Sequence, residues 1–299
     1  MQFGLCLPNF PFGVQPTPDA LVGVAQAAEQ GGFHSVWATD HILVPNDKPR
    51  YGLIYEALTT LAYLGARTER VRLGTSILVI GLRDAILAAK QTATIDALTG
   101  GRMILGLGAG YMQGEFENLG RDFHRRGEHF DEAIRVMRAL WTEDSPAFDG
   151  QSYHFQDTLF GPKPVGSGGI PIYVGGNSDR ALRRAAALGD STHFDDFTAE
   201  QVRAAGDKLR RLTEANGRHV ALSVRRTVDL RPALALSQGQ TPPTAGAGAL
   251  AGSIEEVRAA LAAYADAGLD HFICQFEHDT QAEHLAQIAL FARAIIAEG

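Results

Sequence analysis

Short apolar runs alternate with longer amphipathic stretches along almost the whole chain. The apolar runs are bounded by Gly, Pro, Asn or Asp, which is typical of buried parallel strands. The predicted strands are residues 3–7, 35–37, 71–78, 103–107, 170–174, 191–194, 220–230 and 271–276. In the stretches between the strands, apolar residues recur with the period of a helix. The predicted helices are residues 18–30, 55–66, 85–98, 128–141, 179–188, 199–216, 254–267 and 282–297.

Eight strand–helix units in sequence favour a closed (β/α)8 barrel, a TIM barrel with insertions, over an open doubly wound sheet. The pattern shows no clean boundary, so we expect one domain spanning residues 1–299. Two segments interrupt the rhythm. Residues 148–169 predict a small hairpin and a connecting loop. Residues 231–252 are rich in Pro, Gly, Ala and Gln and predict a long mobile loop that covers the site.

Composition narrows the class of partner. The chain has 299 residues, is 45% hydrophobic and carries a net charge of −7, without a basic block. This argues against nucleic acid or an anionic membrane surface as a partner. No apolar run approaches the roughly 20 residues of a membrane span, and the first residues lack an export pattern. We therefore expect a cytoplasmic protein.

The only two cysteines of the sequence are Cys6 and Cys274. Two cysteines make neither a disulfide framework nor a zinc site. They lie on the first and last predicted strands, which become neighbours if the barrel closes. We interpret them as buried, reduced thiols.

Polar or glycine-rich residues follow several of the predicted strands. Asp40 and His41 come after the second strand, and Gly106-Leu107-Gly108-Ala109-Gly110 ends the fourth. Gly175-Gly176-Asn177-Ser178 ends the fifth strand and precedes a helix, where free amides favour an anion. In a barrel of parallel strands, chemistry sits at the carboxyl ends of the strands. These segments are therefore candidates for one common site.

The glycine run does not fit a dinucleotide fingerprint. It is GxGxG rather than GxGxxG, and no acidic residue follows at the end of a next strand about 20 positions later. The alternatives are close backbone approach of Gly108, Ala109 and Gly110 to a planar ring, or a plain strand-to-loop turn.

The ordered motifs together resemble the luciferase-like flavin and deazaflavin oxidoreductases. They are Trp37-x-x-Asp40-His41, then Leu98-Thr99-Gly100-Gly101-Arg102, the glycine run, and Tyr173-Val174-Gly175-Gly176. Within that superfamily the chain is most similar to the branch that uses coenzyme F420, a 5-deazaflavin, in which an Asp-His end to the second strand is usual. FMN-dependent members more often show Glu-His or other pairs.

The resemblance implies a hydride transfer between bound F420 and a small organic substrate. It places Asp40 and His41 against the deazaflavin, with His41 as general acid/base, a role suited to imidazole near neutral pH. We expect Asp40 to orient His41. The family often has a non-prolyl cis peptide behind the ring, here Ser76-Ile77, and holds the cofactor phosphate at residues Gly175, Gly176, Asn177 and Ser178.

Three positions depart from the family pattern. Tyr111 stands where sugar-phosphate dehydrogenases carry a glutamate, and the apolar segment 42–45 replaces an aromatic residue. Both favour a neutral or apolar substrate over a phosphorylated sugar. His193 stands where relatives usually have an aromatic residue.

Arg225 and Arg226 are adjacent on a strand and should face opposite ways; we expect both to pair with acids.

Several alternatives stay open at this point. One is an FMN-dependent monooxygenase fed by a separate reductase, and another is a barrel that binds a flavin without catalysis. A metal-dependent hydrolase is disfavoured, because His193, Asp195 and Asp196 lack the spacing of a metal site. A homodimer is one further expectation, with Ala-rich helix faces such as 57–66 forming either its interface or part of the core. Substrate and reaction direction are left open by the sequence.

Overall fold

A computed structural model describes residues 1–12, 15–246 and 248–298 of the protein. The strands of this part of the chain are β1 (Gln2–Cys6), β2 (Ser35–Ala38), β3 (Arg72–Thr75), β4 (Leu78–Val79), β5 (Met103–Gly108), β6 (Phe148–Asp149), β7 (His154–Phe155), β8 (Ile172–Gly175), β9 (Ser191–Asp195), β10 (Ser223–Asp229), β11 (Leu250–Ala251) and β12 (His271–Phe276). The helices are α1 (Pro18–Gln30), α2 (Ala57–Gly65), α3 (Ala85–Leu98), α4 (Gln113–Asn118), α5 (Arg126–Thr142), α6 (Asp179–Leu188), α7 (Ala199–Thr213), α8 (Arg231–Ser237), α9 (Ile254–Asp266) and α10 (Gln281–Phe291).

Within the described residues, eight parallel strands form a closed barrel. Their order around the barrel is β1, β2, β3, β5, β8, β9, β10 and β12, and β12 pairs again with β1. Leu5 lies opposite Val36 on one side and Cys274 on the other, which closes the hydrogen-bonded ring. The predicted (β/α)8 barrel is confirmed, and each of its eight predicted strands overlaps an observed one.

Two buried layers pack against the barrel strands. The larger layer is apolar and lies between the strands and the surrounding helices. The smaller layer lies inside the barrel and contains Trp37, Ile104, Ile273 and Cys6. Trp37 is fully buried, and a Cβ on Gly74 would overlap its indole ring. Glycine on the neighbouring strand therefore makes the space that this one large side chain fills.

The two cysteines are buried and reduced, as expected. Cys6 faces the inner layer, whereas Cys274 belongs to the outer layer. The side chains of successive strand residues point to opposite faces, which explains why neighbouring strands hold the two thiols in different layers.

Local signals explain most helix boundaries. The Thr17 hydroxyl accepts the Ala20 amide and begins α1, and the Ser178 hydroxyl accepts the Ala181 amide and begins α6. Both caps fall where Ser and Thr are favoured. The predicted hairpin is also present, because β6 and β7 pair antiparallel. No helix of the described residues is both long enough and apolar enough to cross a bilayer.

The segment at residues 231–252 differs from the predicted loop. It begins with α8 and ends with β11, which pairs with β10 through Val228 and Leu250. Pro232 occupies the first turn of α8, a position that suits proline. The predicted third strand is also divided: β3 ends at Thr75, and the chain resumes as β4 after a cis peptide between Ser76 and Ile77.

Candidate active site

A cleft of about 980 Å³ opens at the carboxyl ends of the barrel strands. This volume lies at the upper part of the usual range for small-molecule sites. Residues after β2, β3, β5, β8 and β9 line it, so the sequence-predicted segments meet in one place. The lining includes Asp40, His41, Ser76, Ile77, Ala109, Gly110, Gly175, Gly176, Asn177 and Ser178.

His41 is held by a residue that the sequence did not single out. Its Nδ1 lies 2.9 Å from Oε2 of Glu115, and both side chains are buried. The other oxygen of Glu115 accepts the Ile42 amide at 2.6 Å. Burial alone would raise the pKa of Glu115, but hydrogen bonds from His41 and from the Ile42 amide lower it. The carboxylate therefore stays ionised beside the imidazole.

Asp40 does not contact His41 through its side chain, contrary to the expectation that it orients the imidazole. Its carboxylate accepts two hydrogen bonds from Arg83, at 2.5 and 2.6 Å, and one from the Val79 amide at 2.9 Å. Successive residues point apart, so the two side chains reach different partners. The carboxylate that contacts the imidazole is that of Glu115.

Two tyrosines surround the imidazole. The ring of Tyr51 lies 4.3 Å from that of His41 between centroids, and the ring of Tyr111 lies 6.2 Å away. Burial, together with the neighbouring Tyr51, raises the pKa of Tyr111 to about 12. Tyr111 therefore keeps its phenolic proton across the physiological range and can donate a hydrogen bond into the cleft.

The cis peptide between Ser76 and Ile77 confirms the expectation for this position. The side chain of Ile77 rests on two glycines, because a Cβ on Gly108 or Gly175 would overlap its Cδ1 atom. Gly110 has a φ of +84°, and a Cβ there would meet Phe116. These glycines are thus required by the packing of the protein itself.

This packing corrects the interpretation of the glycine run. Ala109 and Gly110 line the cleft, whereas Gly108 is absent from its lining and lies beneath Ile77. The space that Gly108 leaves is taken by Ile77. Gly108 therefore makes room for the side chain of Ile77, which itself lines the cleft.

His193 lines the cleft and continues into the barrel interior. Its Nε2 lies 2.9 Å from the hydroxyl of Ser76, and its Nδ1 lies 3.3 Å from that of Ser223. Its ring stacks on Trp37 with centroids 5.2 Å apart. Burial, together with the nearby charge of Arg225, lowers the pKa of His193 to about 3. This imidazole is therefore neutral near physiological pH.

The amino end of α6 borders the same cleft. The Asn177 side chain is bound to both backbone groups of Asp195, and the Gly176 amide donates to the carbonyl of His193. The Gly176 amide is therefore not free for a ligand, and one of the two N–H groups of the Asn177 side chain is already in use. What remains is the end of the helix with its positive dipole, on which Arg180 lines the cleft.

Two further arginines lie around this helix end, together with the acidic residues Glu128 and Asp131. Arg184 pairs with Asp131, and Arg126 lies on the Phe123 ring and donates to the carbonyl of Gly110. Arg180 forms no ion pair with any carboxylate in the described part of the chain. It is the cation most available to an anionic ligand.

Arg225 and Arg226 pair with acids, as expected. Arg225 binds Asp195 at 2.7 Å and lines the cleft. Arg226 lies 4.0 Å from Asp196 and donates to the carbonyl of Gly248.

Two other expectations concern the surroundings of the site. The described residues of segment 231–252 do not contribute to the cleft lining, so the predicted cover over the site is wrong for them. Among the described residues, no group of three or more His, Cys, Asp and Glu side chains is arranged to hold a metal ion.

Comparison with known proteins gives this geometry its context. A sequence profile described as luciferase-like monooxygenase matches residues 1–241. The chain belongs to this luciferase-like family. A shared fold leaves the reaction open, since one scaffold supports many chemistries.

Relatives of this luciferase-like chain include enzymes with different cofactors. The FMNH2-dependent dimethylsulfone monooxygenase of Pseudomonas putida is 33% identical over 206 residues, which are 67% of this chain and 55% of that protein. The F420-dependent glucose-6-phosphate dehydrogenase of Kineococcus radiotolerans is 32% identical over 230 residues, 73% of this chain and 64% of that enzyme. The chain thus spans less than two thirds of the length of either relative.

Solved structures confirm the luciferase-like fold over the whole length. The monooxygenase RslO1 of Streptomyces bottropensis superposes with a TM-score of 0.85 at 21% identity, covering 100% of this chain and 99% of that one. An F420-dependent secondary alcohol dehydrogenase, solved with an F420–acetone adduct, gives a TM-score of 0.81 at 20% identity, with 99% and 98% covered. At these identities the likeness concerns the fold alone.

Sequence reasoning missed three residues of the luciferase-like site. Glu115 and Arg83 bind the side chains of the Asp-His pair, and Tyr51 packs on the imidazole. Glu115 is 74 positions from His41 in the sequence, and Arg83 is 43 positions from Asp40. The only available signal was that Arg83 and Glu115 are charged residues in the segments that follow two predicted strands.

Proposed function

We propose that this protein is a coenzyme F420-dependent oxidoreductase that transfers a hydride between the deazaflavin and a small organic substrate. One observation carries the proposal: a single cleft joins the buried His41–Glu115 pair to the cationic amino end of α6. The first can move a proton, and the second suits the phosphate of a cofactor.

The residues of the cleft suit a flat cofactor with an anionic tail. Ile77 offers an apolar surface whose position is fixed by Gly108 and Gly175. Arg180 and the helix end supply positive charge for a phosphate. When bound, a deazaflavin would supply the two-electron hydride chemistry that no amino-acid side chain provides.

His41 performs the proton step in this proposal. Loss or gain of a hydride at a substrate carbon must be balanced by a proton on the attached oxygen, or on the carbon next to a reduced alkene. The Nε2 atom of His41 has no hydrogen-bond partner among the described residues, and the ring lines the cleft. It can take the proton in one direction and return it in the other. Asp40 acts indirectly, by anchoring the loop through Arg83 and the Val79 amide.

We propose a neutral or apolar substrate. Ile42 and Leu43 follow the imidazole and are 43% and 51% exposed. Arg225 lines the cleft, and Asp195 balances its charge. Turnover of glucose 6-phosphate at the rate of a dedicated dehydrogenase would contradict this assignment, and reduction or oxidation of small ketones and alcohols would support it.

Side-by-side titration with F420 and FMN tests the cofactor assignment. Tight binding of F420, with weak binding of FMN, is the expected result, and it can be followed by the absorbance and fluorescence of each cofactor. Selective binding of FMN would overturn the F420 assignment. A deazaflavin lacking the phosphate should bind more weakly than F420, because the α6 end would have no anion to contact.

An FMN-dependent monooxygenase is the second candidate. It is favoured by the 33% identity to the FMNH2-dependent enzyme of Pseudomonas putida. It requires a separate reductase to supply reduced FMN. Oxygen consumption with reduced FMN and a panel of small substrates, and its absence with F420, would select this candidate.

A non-catalytic flavin-binding barrel is the third candidate, and turnover separates it from the others. His41→Ala should abolish turnover while leaving cofactor binding nearly intact if the protein is an enzyme. No turnover with any substrate, and a biological function unaffected by His41→Ala, would support a carrier or sensor. Light scattering at several concentrations will report whether the protein is a homodimer.

A further inference from the structure

Glu115 contacts two consecutive residues of the loop after β2. One carboxylate oxygen accepts the Ile42 amide at 2.6 Å and the other lies 2.9 Å from the Nδ1 atom of His41. Glu115 is only 1% exposed, so water does not compete for either oxygen. A buried carboxylate with two such bonds fixes both the backbone and the ring.

The helix that carries Glu115 is fastened to the same loop at further points. Asn118 donates to the carbonyl of Leu43 at 3.1 Å. A Cβ on Gly114 would overlap the ring of Pro45, so the helix packs directly on the loop. α4 has no side-chain cap of its own, and besides its contacts with the loop its Phe116 packs with Val79 and Leu82.

We infer that Glu115 is a positioning residue that fixes His41 as the Nδ1–H tautomer, with Nε2 as the proton acceptor toward the cleft. An ionised carboxylate can only accept hydrogen bonds. The proton between Glu115 and His41 therefore belongs to Nδ1, and the neutral imidazole has its lone pair on Nε2. Asp40 cannot serve in this way, because Arg83 and the Val79 amide occupy its carboxylate.

The inference rests on the proposed function for its catalytic meaning, but the tautomer is a property of the protein without cofactor. A carboxylate that orients an imidazole is well known to matter for the tautomer in other folds: exchange of the acid for its amide keeps the shape but permits the wrong tautomer. In Glu115→Gln the amide nitrogen can donate to Nδ1, which moves the proton to Nε2.

Long-range ¹⁵N–¹H spectra of histidine-labelled, ligand-free protein test the inference, with His41 assigned by the signal lost in His41→Asn. At a pH where the ring is neutral, wild-type protein should show Nδ1–H as the main tautomer. Glu115→Gln should show mainly Nε2–H. Glu132→Gln is the matched control, because Glu132 is also a buried carboxylate that accepts backbone amides, those of Gln151 and Ser152, but lies outside the cleft lining. It should leave the His41 signals unchanged.

A main Nε2–H tautomer in the wild type would overturn the inference without recourse to any variant. An unchanged His41 pattern in folded Glu115→Gln would overturn it as well. With an active substrate, Glu115→Gln should lower kcat by about a hundredfold or more, with cofactor affinity unchanged, and alter the pH profile of kcat/KM. If the spectra agree and no F420 turnover is found, the proposed function fails and the positioning role stands.

Discussion

Arg83 donates two hydrogen bonds, at 2.5 and 2.6 Å, to the carboxylate of Asp40, the residue that precedes His41. Burial alone would lower the pKa of Arg83, but the attraction of Asp40 raises it, so the guanidinium stays charged. Asp40 is 2% exposed and also accepts the Val79 amide. Asp40 thus ties the loop that carries His41 to β4 and to Arg83.

Removal of Arg83 should destabilise the fold. Arg83→Met leaves the Asp40 carboxylate buried without its cation, which costs about 3 kcal/mol. Urea unfolding followed by circular dichroism will measure the change in the free energy of unfolding. Arg210→Met is the control, since Arg210 pairs with Asp207 on the exposed surface, and it should change stability by less than about 1 kcal/mol. Equal effects of the two substitutions would contradict the prediction.

Stability should fall as the solution becomes acidic. His193 has a pKa of about 3 in the folded state, against an ordinary value of 6.5. The unfolded chain therefore binds a proton between these values while the folded protein does not, and unfolding becomes easier as the pH falls from 6.5. From pH 7 to pH 5 this one residue should cost about 2 kcal/mol.

His193→Gln checks the source of that acid sensitivity. The variant should lose stability at neutral pH, because the stacking on Trp37 is lost, yet its stability should decline less between pH 7 and 5. His154→Gln is the control, as His154 is exposed and outside the core. An unchanged slope of stability against pH in His193→Gln would show that other groups dominate.

Gly108 should be intolerant of a methyl group. Gly108→Ala places a Cβ on the Cδ1 atom of Ile77, and overpacking of this kind costs about 1–3 kcal/mol. Ile77→Val removes the overlapping Cδ1 atom, so the double variant should regain part of the loss in stability and in cofactor affinity. Gly168→Ala meets no atom within 4 Å and should be nearly neutral. Thermal unfolding and cofactor titration will compare the wild type, Gly108→Ala, the double variant and Gly168→Ala.

Arg180 should contribute to cofactor affinity through the phosphate. A hydrogen bond from a cation contributes roughly 1.5–3 kcal/mol, so Arg180→Ala should weaken F420 binding about tenfold or more. A deazaflavin without phosphate should bind the variant and the wild type equally. Arg183 lies on the same helix but outside the cleft lining, so Arg183→Ala serves as the matched control. A similar loss with the phosphate-free ligand would place the effect of Arg180 elsewhere.

The sequence predicts the barrel well because its strands follow local rules. Apolar runs bounded by turn residues, and caps such as Thr17 and Ser178, act within a few positions. The helix α8 was not predicted, because its Ala and Leu residues lie beside a stretch rich in Pro, Gly and Gln. The six-residue α4 begins without a cap and contains Gly114, so no local signal marks it.

The chemistry of the site was less predictable, because it depends on contacts between distant segments. Because Asp40 and His41 are neighbours in the sequence, we expected Asp40 to orient His41. In the structure, Asp40 binds Arg83 and His41 binds Glu115. The glycines were interpreted as space for a ligand, whereas Gly108 makes space for Ile77. Periodicity places a residue at the mouth of the barrel, but which side chain it meets is decided by the fold.

The stack of Trp37 on His193 gives the protein an internal optical reporter. The sequence contains only one other tryptophan, Trp141, whose indole donates to the carbonyl of Ala89 and lies outside the cleft lining. In a Trp141→Phe protein all indole emission would arise one side chain away from the cleft. Unlabelled compounds could then be screened by their effect on that emission, before any catalysed reaction is known.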